Sequence, residues 1–211
     1  MQLGELLESQ QDFAGAAAAY REAAALEPSP ELTARAAAAA ERARDAALPA
    51  PFRAIPTATS LTRGDLAALI GVRLEALLGR AAARQVVMTD VTGHWAAAWI
   101  TRVARAGVMD PYENHTFQPR ETIDRGDLAL AVSRLITLAA SQRPALKQAL
   151  AQRPAVADMA PGHLRYPAVA VAVSSGVLPL LDGNRFAVGR AVSGAEAVAA
   201  IDRVRALTTA P

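Results

Sequence analysis

The chain has 211 residues, 52% of them apolar, with alanine dominating that fraction and aromatic residues at only 4%, a balance that favours closely packed helices over a sheet. There is no cysteine, so disulfides, thiolate metal centres and cysteine nucleophiles are excluded. Formal net charge is +2, but residues 1–46 carry eight acids and four bases, a net −4, while residues 47–211 carry eighteen bases and twelve acids, a net +6. The second part suits an anionic partner and falls short of the basicity of a nucleic-acid binder. Lys147 is the only lysine; arginine suits carboxylate or phosphate recognition, and an arginine-rich coding bias explains it equally well. No apolar run reaches transmembrane length, and Met1-Gln2-Leu3 is not expected to start a signal peptide.

In chain order, Leu3 and Leu7 share one helical face, Gln10-Gln11-Asp12 makes a turn, and Ala16, Tyr20 and Ala23 form a second face before Pro28 ends the helix. Residues 31–47 read as an alanine-rich helix. Pro49, Pro51 and Pro56 then predict an extended segment. Helical spacing returns over residues 61–78, with Leu61, Leu66, Leu69, Ile70, Leu74 and Leu77 on one side. Residues 123–138 and 192–207 are its counterparts. Two outer helices, 94–106 and about 165–175, end at Gly107 and Gly176, where glycine adopts the left-handed turn at little cost. Thr62-x-x-Asp65, Asp124-x-x-Asp127 and Ser193-x-x-Glu196 each read as a capping box.

These correspondences are an internal repeat. Asp90-Val91-Thr92-Gly93-His94-Trp95-Ala96, Gly107, Phe117, Pro119 and Ile123-Asp124-Arg125-Gly126-Asp127 are echoed by Asp158, His163, Gly176, Phe186 and Val192-Ser193-Gly194-Ala195-Glu196. A further, partial copy, the first in chain order, is Leu61-Thr62-Arg63-Gly64-Asp65. Phe117 and Phe186 are expected to plug the base of a helical bundle, with Ile55 in that role in the first copy.

The repeat resembles the S-layer homology domain, strongly over 88–137, recognisably over 156–207, and over 55–79 in its final segment only. The resemblance implies an all-α, pseudo-threefold bundle divided into a degenerate first repeat at 48–80, a second at 86–140 and a third at 154–208. Leu3, Gly4, Leu7, Ala16, Tyr20, Ala23 and Pro28 resemble a tetratricopeptide repeat, so residues 1–47 are expected to form a tetratricopeptide-like hairpin plus a linking helix. Since one such repeat cannot bury its own faces, further repeats are expected upstream. The 31–47 helix is expected to double as the missing outer helix of the first copy.

The first resemblance implies a non-catalytic, extracytoplasmic module that anchors proteins to anionic, sometimes pyruvylated, wall polysaccharide or to peptidoglycan. The hairpin would contact a protein partner. The alternative is an envelope assembly subunit whose repeats no longer bind glycan, which the truncated first copy and Gly194 favour. Carried over residue by residue, Arg63 and Arg125 fall just inside helix N-termini, where a guanidinium and free N–H groups would hold a carboxylate; structural salt bridges are the competing role. The third copy has Gly194 at that position. Trp95 and Trp99 suit either sugar stacking or core packing. Asp90 and His94 are too few for a metal; Asp90 and Asp158 are expected to cap the outer helices, and the histidines to cap or to hydrogen-bond in the core. No catalytic constellation, cofactor motif or metal set is read from the chain.

Overall fold

A computed structural model of the chain describes residues 2–141 and 143–209. It is mostly helical, 60% helix with no sheet among the described residues, as the alanine-rich composition predicts. The chain divides into two compact units, Met1–Arg53 and Ala54–Pro211, so the boundary falls a few residues later than residue 47.

In the first unit α1 (Gln2–Ser9) and α2 (Phe13–Leu26) pack together, and α3 (Pro30–Ala47) packs on α2. Asp12 caps α2 by accepting the Gly15 N–H at 2.9 Å, and Ser29 with Pro30 starts α3. Tyr20 is the unit's fully buried aromatic, surrounded by Ala16, Ala17, Leu32, Ala36 and Ala39. Gly4 is required by that ring, since a Cβ there would collide with it. The buried side of α3 therefore belongs to the core of this unit.

The proline-rich stretch is not extended. It forms α4 (Ala50–Ala54) and a 3-10 turn, Ile55–Thr57. Pro51 and Pro56 both occupy the first turn of their elements, where a missing N–H costs nothing.

The second unit is built on three repeated inner helices: α5 (Arg63–Arg73), continued after a break at Leu74 by α6 (Glu75–Leu78); α8 (Arg125–Ala140); and α11 (Gly194–Thr209). The outer helices are α7 (Ala97–Arg105) and α10 (Tyr166–Ser174). Each outer helix packs on the inner helix of the preceding copy, α7 on α5 and α10 on α8. On α11 the corresponding contact is made by the 3-10 turn at Ile55–Thr57. A further helix, α9 (Pro144–Ala151), lies between the second and third copies and packs on α8 and α10; no periodicity had pointed to it.

The three copies close on one another through their backbones. Leu61 N–H donates to Val192 O at 2.9 Å, Ile123 N–H to Leu61 O at 2.9 Å, and Val192 N–H to Ile123 O at 3.3 Å. This cyclic trio, flanked by short antiparallel bridges at Thr62–Thr122 and Asp124–Ala191, marks the pseudo-threefold axis. Leu61, Ile123 and Val192 are buried, as are Phe117, Phe186 and Ile55, the three positions that the repeat matches to one another.

Two of the three capping boxes are complete, at Thr62/Asp65 and Asp124/Asp127. In the third, Ser193 accepts the Glu196 N–H at 3.2 Å, but the Glu196 carboxylate turns away to Arg125 and Arg190. A charge-assisted pair outcompetes the neutral N–H as partner for that carboxylate.

Asp90 and Asp158 do accept backbone N–H groups, but not at the start of the outer helices. Asp90 takes the N–H groups of Phe117 and Gln118, both at 2.7 Å, and Asp158 those of Phe186 and Ala187, both at 2.7 Å. Gln118 and Ala187 have φ of 55° and 54°, a left-handed conformation unfavourable for residues with a Cβ. Each aspartate thus clamps a strained loop onto its own copy. Asp158 is held below the usual carboxylate range chiefly by the Phe186 N–H, with the Ala187 N–H adding to it. A depressed folded value stabilises the fold above the unfolded value and is lost as pH falls through the folded one. Asp158→Asn is expected to cost about 1–2 kcal/mol at neutral pH, measured by denaturant unfolding. The gap from the unmodified chain should shrink below about pH 4; a gap that is constant down to pH 2 contradicts this role.

Candidate functional site

Arg63 and Arg125 lie inside the inter-copy contacts. The Arg63 guanidinium is half-buried between the rings of Tyr112 and Phe117, 4.7 and 4.8 Å from their centroids. It donates through Nε to Phe117 O at 2.8 Å and through Nη2 to Asp110 O at 3.0 Å. Arg125 is 2% exposed. It lies 4.5 Å from the Phe186 centroid, donates through Nη2 to Pro179 O at 2.9 Å, and pairs through Nη1 with Glu196. Each arginine of one copy therefore clasps the plug residue and the loop of the next.

The N–H groups beside these arginines are not free, which corrects the expectation of a carboxylate nest. Arg63 and Gly64 N–H donate to Glu121 O and Pro119 O, both at 2.8 Å; Arg125 and Gly126 N–H donate to Arg190 O and Val188 O, both at 2.9 Å. The neighbouring copy satisfies the helix ends that an anion would otherwise need. At the third junction Gly194 N–H donates to Ala58 O at 2.8 Å, and the glycine faces the Ile55 carbonyl so closely that no side chain fits.

Trp99 is a packing residue: its ring fills the space over Gly71 on α5. Trp95, half-buried, meets Trp99 edge-on with centroids 5.9 Å apart. It also lines an open groove where the first and second copies meet. Two adjoining hollows of about 690 and 430 Å³ share Gly93, His94, Pro119 and Arg120. The larger adds Asp90, Thr92, Gln118 and Glu121, and the smaller adds Thr62, Asp65 and Trp95. His94 Nδ1 accepts the Ala96 N–H at 3.2 Å, so the ring caps the first turn before α7, and His163 does the same for the Arg165 N–H at 3.1 Å. Burial, helped by Arg120, holds His94 below the ordinary imidazole value, so it is neutral at pH 7.

The corresponding groove between the second and third copies is filled. The outer-helix histidines align His94 with His163, so Ala96 corresponds to Arg165, and the plug phenylalanines align Arg120 with Gly189. Arg165 Nη1 pairs with both Asp124 oxygens at 2.6 and 2.8 Å, and its Nη2 with Asp127 at 3.1 Å. In the sequence Ala96 closes the motif and Arg165 opens the third copy's outer helix, but neither residue type signals that one bridges a junction the other leaves open, and Arg120 has only Gly189 as its counterpart.

Residues 87–129 match the S-layer homology domain family, a module of cell-surface and cell-wall association. The matched segment carries Thr92, Gly93, His94, Trp95 and Arg120 of the open groove. No family match supports the tetratricopeptide reading of residues 3–28. No curated protein matches the chain. No helix among the described residues is long and apolar enough to cross a membrane.

Proposed function

We propose that the 54–211 unit is a non-catalytic, extracytoplasmic anchor that holds a wall polymer, peptidoglycan or an associated polysaccharide, in the groove between the first and second copies. The observation that carries this reading is the open groove itself, lined by Trp95, His94, Thr92 and the exposed Arg120 within the family-matched segment. The Trp95 ring offers an apolar surface for sugar C–H groups, Thr92 and Gly93 offer polar contacts, and Arg120 offers the cation for a carboxylate. Arg63 and Arg125 support the groove by fixing the copies against one another, and Trp99 supports Trp95. The N-terminal hairpin exposes Leu3, Leu6 and Leu26 and serves protein contacts in this scheme.

Sedimentation of the full chain with purified peptidoglycan sacculi tests the anchor. Trp95→Ala and Arg120→Ala are each expected to weaken binding about tenfold while leaving thermal unfolding near that of the unmodified chain. Failure of the unmodified chain to sediment rejects wall anchoring. It would favour the second reading, an assembly subunit of a larger envelope complex, which the filling of the second groove by Arg165 and the close packing at Gly194 also favour.

A further inference from the structure

We infer that the open groove selects a wall polymer bearing free amino groups, not a plain polyanion, an inference that rests on the anchoring role proposed above. The groove between the second and third copies contains its own stand-in for such a ligand. There the capping box of α8 holds a guanidinium, with Arg165 across Asp124 and Asp127 at 2.6–3.1 Å, and the Arg165 side chain lies directly over Gly126. In the open groove the equivalent capping box, Thr62 and Asp65, faces a copy whose matching residue is Ala96, and the smaller hollow lies beside it. At this junction Thr62 and Ala96 stand where the next groove has Asp124 and Arg165, the His94 ring covers Gly64 as Arg165 covers Gly126, and Asp65 is the acid that remains to line the hollow.

Charge points the same way. Asp65, Asp90 and Glu121 line the two hollows against a single cation, Arg120, and His94, lowered by burial, adds no positive charge at neutral pH. Asp90 is committed to the Phe117 and Gln118 N–H groups, and Glu121 accepts the Tyr112 hydroxyl at 2.8 Å. Asp65 is half-buried and receives the Thr62 N–H and hydroxyl on Oδ2. An ammonium in the smaller hollow beside Asp65 and the Thr62 hydroxyl would make a charge-assisted bond to the acid whose counterpart, Asp127, Arg165 reaches in the next groove. Arg120 remains for a carboxylate on the same polymer. A polymer carrying only carboxylates would meet a lining with more acid than base.

The test sediments the full chain with native sacculi and with sacculi whose amines have been acetylated with acetic anhydride, which removes ammonium groups and keeps glycan and carboxylates. Acetylation is expected to weaken binding about tenfold. The double variant Ala96→Arg/Arg120→Gly, which copies the Arg165/Gly189 pair and removes both the ammonium and the carboxylate contact, is expected to bind native sacculi about a hundredfold more weakly and to show no acetylation effect. Equal binding of the unmodified chain to both preparations overturns the amine inference and leaves the anchor standing; no binding to native sacculi overturns both. The comparison of the two sacculus preparations needs no variant, so it decides the inference even if the double variant misfolds.

Discussion

Gly194→Ala is expected to destabilise the 54–211 unit by about 3 kcal/mol or more. An added Cβ would be brought against the Ile55 carbonyl, with the Ile55 carbonyl carbon 2.7 Å away and the Ala58 nitrogen 3.3 Å away. All of these are backbone atoms of the 3-10 turn or of Ala58, which follows it, so no side chain can rotate to make room. Relief requires α11 and the turn to part, which breaks the Gly194 N–H to Ala58 O bond and strains the cyclic trio at Leu61, Ile123 and Val192. Gly194→Arg, which restores the arginine of the other two copies, should be worse still. Gly162→Ala, with nothing within 4 Å of its added Cβ, is the control and should change stability by less than about 0.5 kcal/mol. Denaturant unfolding of the full chain checks all three; a Gly194→Ala chain as stable as the control would refute the close approach.

Arg125→Ala is the second large effect, about 3 kcal/mol. The side chain is 2% exposed and joins Glu196, Pro179 O and the Phe186 face, so truncation opens a cavity against Phe186 and leaves the Pro179 carbonyl without that donor. Glu196 retains Arg190 at 2.7 Å, which keeps the cost from rising further. Arg63→Ala should cost less, since Arg63 is half-buried and its acceptors are two neutral carbonyls. Equal stabilities for Arg125→Ala and the unmodified chain would remove its role as a clasp between copies.

These effects show which properties are readable along a chain and which are not. Helix caps, the Gly107 and Gly176 turns and the plug residues are local or fixed by repeat spacing, so Thr62/Asp65, Asp124/Asp127, Phe117 and Phe186 were all legible. The short helices α4 and α9 were not, because each begins at or beside a proline and is too short to show a period. What Arg63, Arg125 and Asp90 do depends on partners 47–54, 54–71 and 27–28 residues away. Position inside a helix N-terminus suggested an anion site; only the neighbouring copy, which occupies those N–H groups, shows a clasp. Trp95 was legible as a site candidate, whereas Arg120 was hidden because the repeat offers Gly189, not a cation, in its place.

The most direct measurement is an NMR titration of the isotopically labelled full chain with soluble muropeptides released from sacculi. The account predicts that amide shifts concentrate at residues 92–95 and 119–121, with the Trp95 indole moving and the Arg165 groove unchanged. Shifts centred on the loop at Asp182–Asn184 or around Arg165, or no shifts at all, would contradict the assignment of the first inter-copy groove as the wall-binding site.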